Sequence, residues 1–201
     1  MSATATPYGL RPVKRMDGLP YAGAVSEFQI NPAGIATNIY NGSIVTLDTN
    51  GYIILMTATG ADGTTNAFPA GTIGVFVGCE FVNAQGQLIF SQYYPASYVA
   101  PTGTKIKAKV VCDPDVLFQG QMDGAALQAM IGANTFLAAV QSTSTGSTTT
   151  GNSTSALEST VVATNAALRV VALVSPVGDL FADVLVKFNP GHHSYLNAVG
   201  I

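Results

Sequence analysis

Chemistry in this chain would have to come from very few side chains. Histidine occurs twice, as His192 and His193 in NPGHHSY, and cysteine twice, as Cys79 and Cys112. Carboxylates gather at Asp113 and Asp115 in CDPD, with Asp123 further on. Neighbours on an extended segment point to opposite faces, so the two imidazoles do not readily share a metal. No Cys or His pair stands at metal-ligand spacing. Each cysteine sits in a strand-like run, VFVGCEF or AKVVCDPD. Both therefore read as buried free thiols, with a disulfide between neighbouring strands left open. The histidines read as surface or interface residues. Asp-Pro starts turns, and the acidic spacing is not that of an EF-hand loop, which leaves a weak calcium site as the alternative to a turn. Serine is abundant, yet there is no G-x-S-x-G elbow, Walker motif or G-x-G-x-x-G. The expectation is no catalytic residue, no metal and no cofactor, so an enzyme such as a cell-wall hydrolase has nothing to carry it. Tyr93, Tyr94 and Tyr98 in SQYYPASY offer large amphipathic area, as in interfaces and sugar-binding patches.

The composition narrows the classes further. Only 9% of the 201 residues are charged, against roughly a quarter in ordinary globular domains. Gly, Ser, Thr, Ala, Val and Asn take their place, the opposite of a disordered chain. With eight basic residues and net charge −3, no basic stripe marks a nucleic-acid binder. So weak a charge gives little colloidal repulsion and tolerates association. No apolar run approaches the roughly 20 residues of a membrane span. MSATATPYG has no basic-plus-apolar leader character, so synthesis in the cytoplasm is expected.

The elements that must position these residues are mostly strands. Residues 1–34 carry Pro7, Pro12, Pro20 and Pro32, which bias the chain toward extended structure and predict an N-terminal arm. The arm is too apolar for a loose tail, with Tyr8, Leu10, Val13, Leu19, Tyr21 and Phe28, and it holds Arg11, Lys14 and Arg15. It must lie on its own barrel, a neighbour or a partner. IYNGSIVTLD and NGYIILMT form a hairpin across Asn50-Gly51, with a type I′ turn as one option. TIGVFVGCEFVN and QLIFSQYYP form another across NAQG. In TKIKAKVV, Lys105, Lys107 and Lys109 alternate with Ile106, Ala108 and Val110, one face wet and one in the core. The lysines there would also discourage edge pairing. DGAALQAMIGA predicts the one short helix, capped by Asp123 and ended by Gly132, with Leu127, Met130 and Ile131 on its apolar face. TFLAAVQ, AALRVVALVSP and GDLFADVLVKFN read as further strands. Residues 124–157 contain no charge, and QSTSTGSTTTGNSTSALEST (141–160) is nearly all Ser, Thr and Gly. Too little chain follows for a second core, so this segment belongs to the main domain as polar strands or a long loop. The expected fold is mainly β. It is a single β-barrel or β-sandwich, jelly-roll-like, over residues 35–201, with one short helix and the extended arm 1–34.

Several stretches resemble a family of tailed-bacteriophage capsid cement (decoration) proteins. They are PYGLRPVKRMDGLPYAGAVSEFQI, the NGYI hairpin, GVFVGCEF, KAKVVCDPDVLFQGQMDGAAL, the IGAN–TG–S segment and LRVVALV…VLVKFNPGHHSY. They cover most of the chain, and the motifs are structural. The Ser/Thr stretch is longer than the family pattern. The resemblance implies binding to the outside of an expanded icosahedral shell, where the protein clamps neighbouring major capsid subunits against the pressure of packaged DNA. It also implies a homotrimer on three-fold and quasi-three-fold positions, with no nucleic acid or membrane contacted directly. Sparse charge and an apolar arm suit that role, because a multivalent clamp gains effective concentration from each added contact, and closed symmetry limits association. The contact residues expected are Tyr8, Leu10, Arg11, Lys14 and Arg15 in the arm, together with Tyr93, Tyr94 and Tyr98. Deleting residues 1–30 should then weaken shell binding or trimer formation. The competing class is a virion-surface or tail adhesin that binds host glycan through the tyrosines.

Overall fold

The computed structural model describes residues 4–61, 66–198 and 200. The fold is mainly β, and every strand ladder is antiparallel. In chain order the strands are β1 (Arg11–Arg15), β2 (Ser26–Ile30), β3 (Ile39–Tyr40), β4 (Ile44–Leu47), β5 (Ile53–Leu55), β6 (Thr72–Val82) and β7 (Leu88–Ser91). Then come β8 (Tyr93–Tyr94), β9 (Ile106–Val111), β10 (Val116–Gln121), β11 (Asn134–Thr135), β12 (Leu168–Leu173) and β13 (Asp183–Phe188). One sheet runs β1-β10-β13-β12-β11, and a second runs β2-β9-β6-β4-β5 with β7 also on β6. β3 and β8 form a two-stranded ribbon.

Two apolar cores explain the layering. Phe118, Val184, Val186, Phe188, Leu168 and Val170 of the first sheet pack with Ile44, Val75 and Val111 of the second. On its other face the second sheet curls over Ile30, Val45, Ile53, Phe76, Cys79, Ala108 and Val110. Around β4 and β6 this sheet is therefore buried on both faces. A strand covered on both sides needs a near-continuous apolar run rather than alternation, and TIGVFVGCEFV in β6 is such a run.

The turns are set by local chemistry. In Asp48-Thr49-Asn50-Gly51 the Gly51 N–H donates to the Asp48 carbonyl at 3.0 Å. Asp48 Oδ1 accepts from the Asn50 and Tyr52 N–H groups. Only Gly51 takes positive φ here, at 78°. A type I′ turn needs two such residues, so the hairpin instead closes through a type I turn followed by a left-handed glycine. Asn83-Ala84-Gln85-Gly86 repeats the solution, with Asn83 Oδ1 accepting from Gln85 and Gln87 and Gly86 at φ 79°.

Of the arm expected over 1–34, the described residues 4–34 are extended and lie on their own domain. β1 pairs with β10 at the edge of the first sheet, with an irregularity at Val13, and β2 pairs with β9 at the edge of the second. β9 is consequently an interior strand, bonded to β2 on one side and β6 on the other. Lys107 and Lys109 thus protect no edge. Lys107 pairs with Glu27 at 3.0 Å and Lys109 with Glu80 at 2.6 Å, across three strands.

The expected helix is reduced to a single 3-10 turn, Gln128–Met130. The backbone before this turn bonds outward, Ala126 N–H donating to Asp179 and Gly178 N–H to Ala126, and only i→i+3 bonds such as Met130 N–H to Leu127 form within it. Asp123 does not cap it, but accepts from the Ser159 N–H at 2.8 Å. Met130 is buried, while Leu127 and Ile131 are exposed, so no apolar helical face exists to drive coiling. TFLAAVQ contributes only Thr135, the second residue of β11.

The Ser/Thr-rich segment is a folded loop of this domain, without regular strands. Three buried residues, Gln141, Ser153 and Leu157, tie it down. Gln141 Oε1 accepts from the Ile44 N–H, while its Nε2 donates to the Ile44 and Met56 carbonyls. Between these ties the hydroxyls satisfy the turning backbone, as where Thr145 Oγ1 accepts from the Ser142 N–H and donates to its carbonyl. Asn41 and Asn152 are joined by a parallel bridge.

Candidate interaction surface

No group of three or more His, Cys, Asp or Glu side chains converges among the described residues. The histidines are not surface residues. His193 is fully buried and His192 nearly so. They splay apart, His192 edge-on to Phe68 and His193 edge-on to Phe188, and close one end of the first core. His192 Nε2 meets Asn165 Oδ1 at 3.1 Å, and His193 Nδ1 accepts from the Tyr195 N–H. Burial pushes the His193 imidazole down to about 4. The cysteines are free thiols. Burial, with Glu80 beside it, pushes Cys79 up to about 12, and Cys112 donates to Ser26 Oγ. CDPD forms a turn in which Asp113 Oδ1 accepts from the Asp115 N–H and Oδ2 from Arg15 at 2.7 Å.

The tyrosine run is mostly consumed internally. Tyr94 is buried, donating to the Tyr98 carbonyl and accepting from the Ile35 N–H. Tyr98 is half-buried, its ring against Phe81 and its hydroxyl donating to the Val82 carbonyl. The Tyr93 ring stacks on Tyr40 at 5.8 Å. Tyr40 in turn is roofed by Gly146, where any Cβ would fall 2.2 Å from the ring. These side chains build a wall rather than an exposed aromatic patch.

In the N-terminal segment the expected contact residues divide. Leu10 is 1% exposed and belongs to the core, so it has no surface to offer a partner. Tyr8 is half-buried, donates to Asp183 Oδ1 at 2.8 Å and lies under the Arg11 guanidinium at 4.4 Å. Burial first, then the Asp183 hydrogen bond, raises its pKa. Arg15 is committed to Asp113 and Asp17. Arg11 and Lys14 pair with no carboxylate among the described residues. Around them Val13, Met16 and Leu19 stand exposed along the edge strand β1 and the turn after it.

Arg169 and Lys187 were not singled out in the sequence. They sit directly opposite each other on β12 and β13. Their neighbours Val170, Val186 and Phe188 enter the core, so both cations face outward with Arg11 and Lys14. A cation alone in each of two apolar strands, LRVVAL and DVLVKF, was the available signal. Their juxtaposition depends on register.

No family model, curated protein or solved structure matches this chain, so the resemblance to cement proteins rests on its sequence motifs alone.

Proposed function

We propose that this is a structural virion protein that binds the outer surface of an expanded icosahedral capsid. There it clamps neighbouring major capsid subunits against the pressure of packaged DNA. It is made in the cytoplasm of the bacterial host and acts as a homotrimer, without a cofactor and without catalysis. One observation carries the reading beyond the sequence motifs. The N-terminal stretch is built into both sheets, yet β1 and the turn after it leave Val13, Met16 and Leu19 exposed beside Arg11 and Lys14, which form no ion pair among the described residues. An edge strand with apolar side chains uncovered is a surface that proteins ordinarily protect unless a partner covers it. A charge-poor exterior also adds little repulsion to close packing on a lattice.

The test is to sediment purified protein with undecorated shells, unexpanded and expanded. Saturable binding to expanded shells only, at a fixed ratio to the major capsid protein, is the expected result. Failure to bind either form, together with binding to intact host cells, would replace this reading with the adhesin.

A further inference from the structure

We infer that the cleft beside Arg169 and Lys187 is a docking site for a partner-protein segment carrying a carboxylate side chain next to an apolar one. The cleft holds about 440 Å³, with Met16, Ile131, Val171 and Pro190 around the two cations, and no acidic residue lines it.

Three features point to such an occupant. Like charges directly opposite one another on a ladder are destabilising, and Arg169 faces Lys187 in a chain with only eight basic residues. Their own partners do not cancel the pair. Arg169 Nε donates to the neutral Asn134 Oδ1 at 3.1 Å, and Lys187 reaches Asp115 only at 3.9 Å. The arginine is also pre-positioned. Asn134 is buried, donates to the Thr164 carbonyl and accepts from Asn189 Nδ2, so its Oδ1 is fixed before any partner arrives. A planar guanidinium held in that way suits a carboxylate. The apolar wall supplies the remainder. Met16 is 52% and Ile131 43% exposed at the cleft, and a β-bulge at Val171 turns that strand beside them. A bare anion would leave this wall wet; an apolar neighbour covers it.

Identifying the partner as a capsid subunit rests on the proposed function, whereas the chemistry of the cleft does not. The test uses the full-length protein and a fluorescein-labelled tetrapeptide of alternating leucine and glutamate. The leucine–glutamine peptide is its uncharged control. The glutamate peptide should bind saturably and more tightly than its control, and should perturb the amides of Ile131, Gly132 and Val171. Losing a charge-assisted bond corresponds to roughly tenfold or more in affinity. Arg169→Gln should therefore weaken the peptide by at least about that factor, whereas Lys105→Glu, on an exposed site elsewhere, should not. Equal binding of the two peptides, or binding undiminished in Arg169→Gln with its melting temperature intact, overturns the inference. Shell sedimentation separates the two readings. Wild type and Arg169→Gln decorating shells equally would remove the cleft and keep the capsid role. Peptide binding without shell binding would do the reverse.

Discussion

Gln141 is the residue on which the Ser/Thr-rich loop depends. Its amide, 1% exposed, bonds the backbone of Ile44 twice and that of Met56 once. Gln141→Met keeps the volume and removes every bond. The Ile44 carbonyl retains the Met56 N–H at 3.2 Å, so two groups are left without these partners, the Ile44 N–H and the Met56 carbonyl. A buried polar group left unsatisfied costs about 1–3 kcal/mol. The variant should therefore lose about 2–4 kcal/mol once some relaxation is allowed. At about 2–4 °C per kcal/mol for a chain of this size, the melting temperature should fall by roughly 4–16 °C. Thermal unfolding followed by circular dichroism measures it, with Thr149→Ala on the exposed part of the loop as a control expected within about 0.5 kcal/mol. Hydrogen exchange at Ile44 should accelerate in the same variant. A Gln141→Met protein that melts with wild type would show that the loop is not held by this amide.

Further outcomes follow from the same geometry. Gly146→Ala drives a Cβ into the Tyr40 ring and should cost about 1–3 kcal/mol in urea unfolding. Gly103→Ala, at φ 83° with nothing nearby, should cost only the left-handed strain of about 1–2 kcal/mol. Leu10→Ala should lose about 2–5 kcal/mol as a core truncation, whereas Arg11→Ala should lose less than about 1 kcal/mol; equal losses would contradict the division of this segment into core and surface. His193 has a folded pKa of about 4, below its ordinary 6.5, so the unfolded chain binds more protons between those values. Its contribution, up to about 3 kcal/mol, is complete above pH 6.5 and is lost as the pH falls toward 4. His193→Gln should flatten that part of the stability–pH curve, and an unchanged slope would place the titration elsewhere.

The N-terminal segment shows why deletion is a poor probe of its contacts. Removing residues 1–30 strips an edge strand from each sheet and takes Leu10 out of the core. Loss of shell binding would then report unfolding. Point changes at Arg11, Lys14, Val13 and Met16 leave the ladders in place and test the surface directly.

What was legible in the residues is what local pattern controls. Sparse charge, abundant Val, Ile and Thr, and Gly-marked turns predict a β protein. The alternation in IKAKVV correctly assigns Ile106, Ala108 and Val110 to the interior and the lysines to the other face. The polar segment 141–160 bonds back to Ile44, Met56 and Asn41, ties that its Ser/Thr/Gly composition does not announce. Tertiary structure decided the rest. Helical spacing at Leu127, Met130 and Ile131 meant little because the backbone leading into them, at Gly124 and Ala126, found partners in residues 178–182, and spacing cannot see a competing partner. His192 and His193 are buried because aromatic rings from distant strands receive them. The position of β9 inside its sheet, and the meeting of Arg169 with Lys187, depend on which strands pair and in what register. Both are long-range outcomes of fitting two cores around one shared sheet, and no window of neighbouring residues contains them.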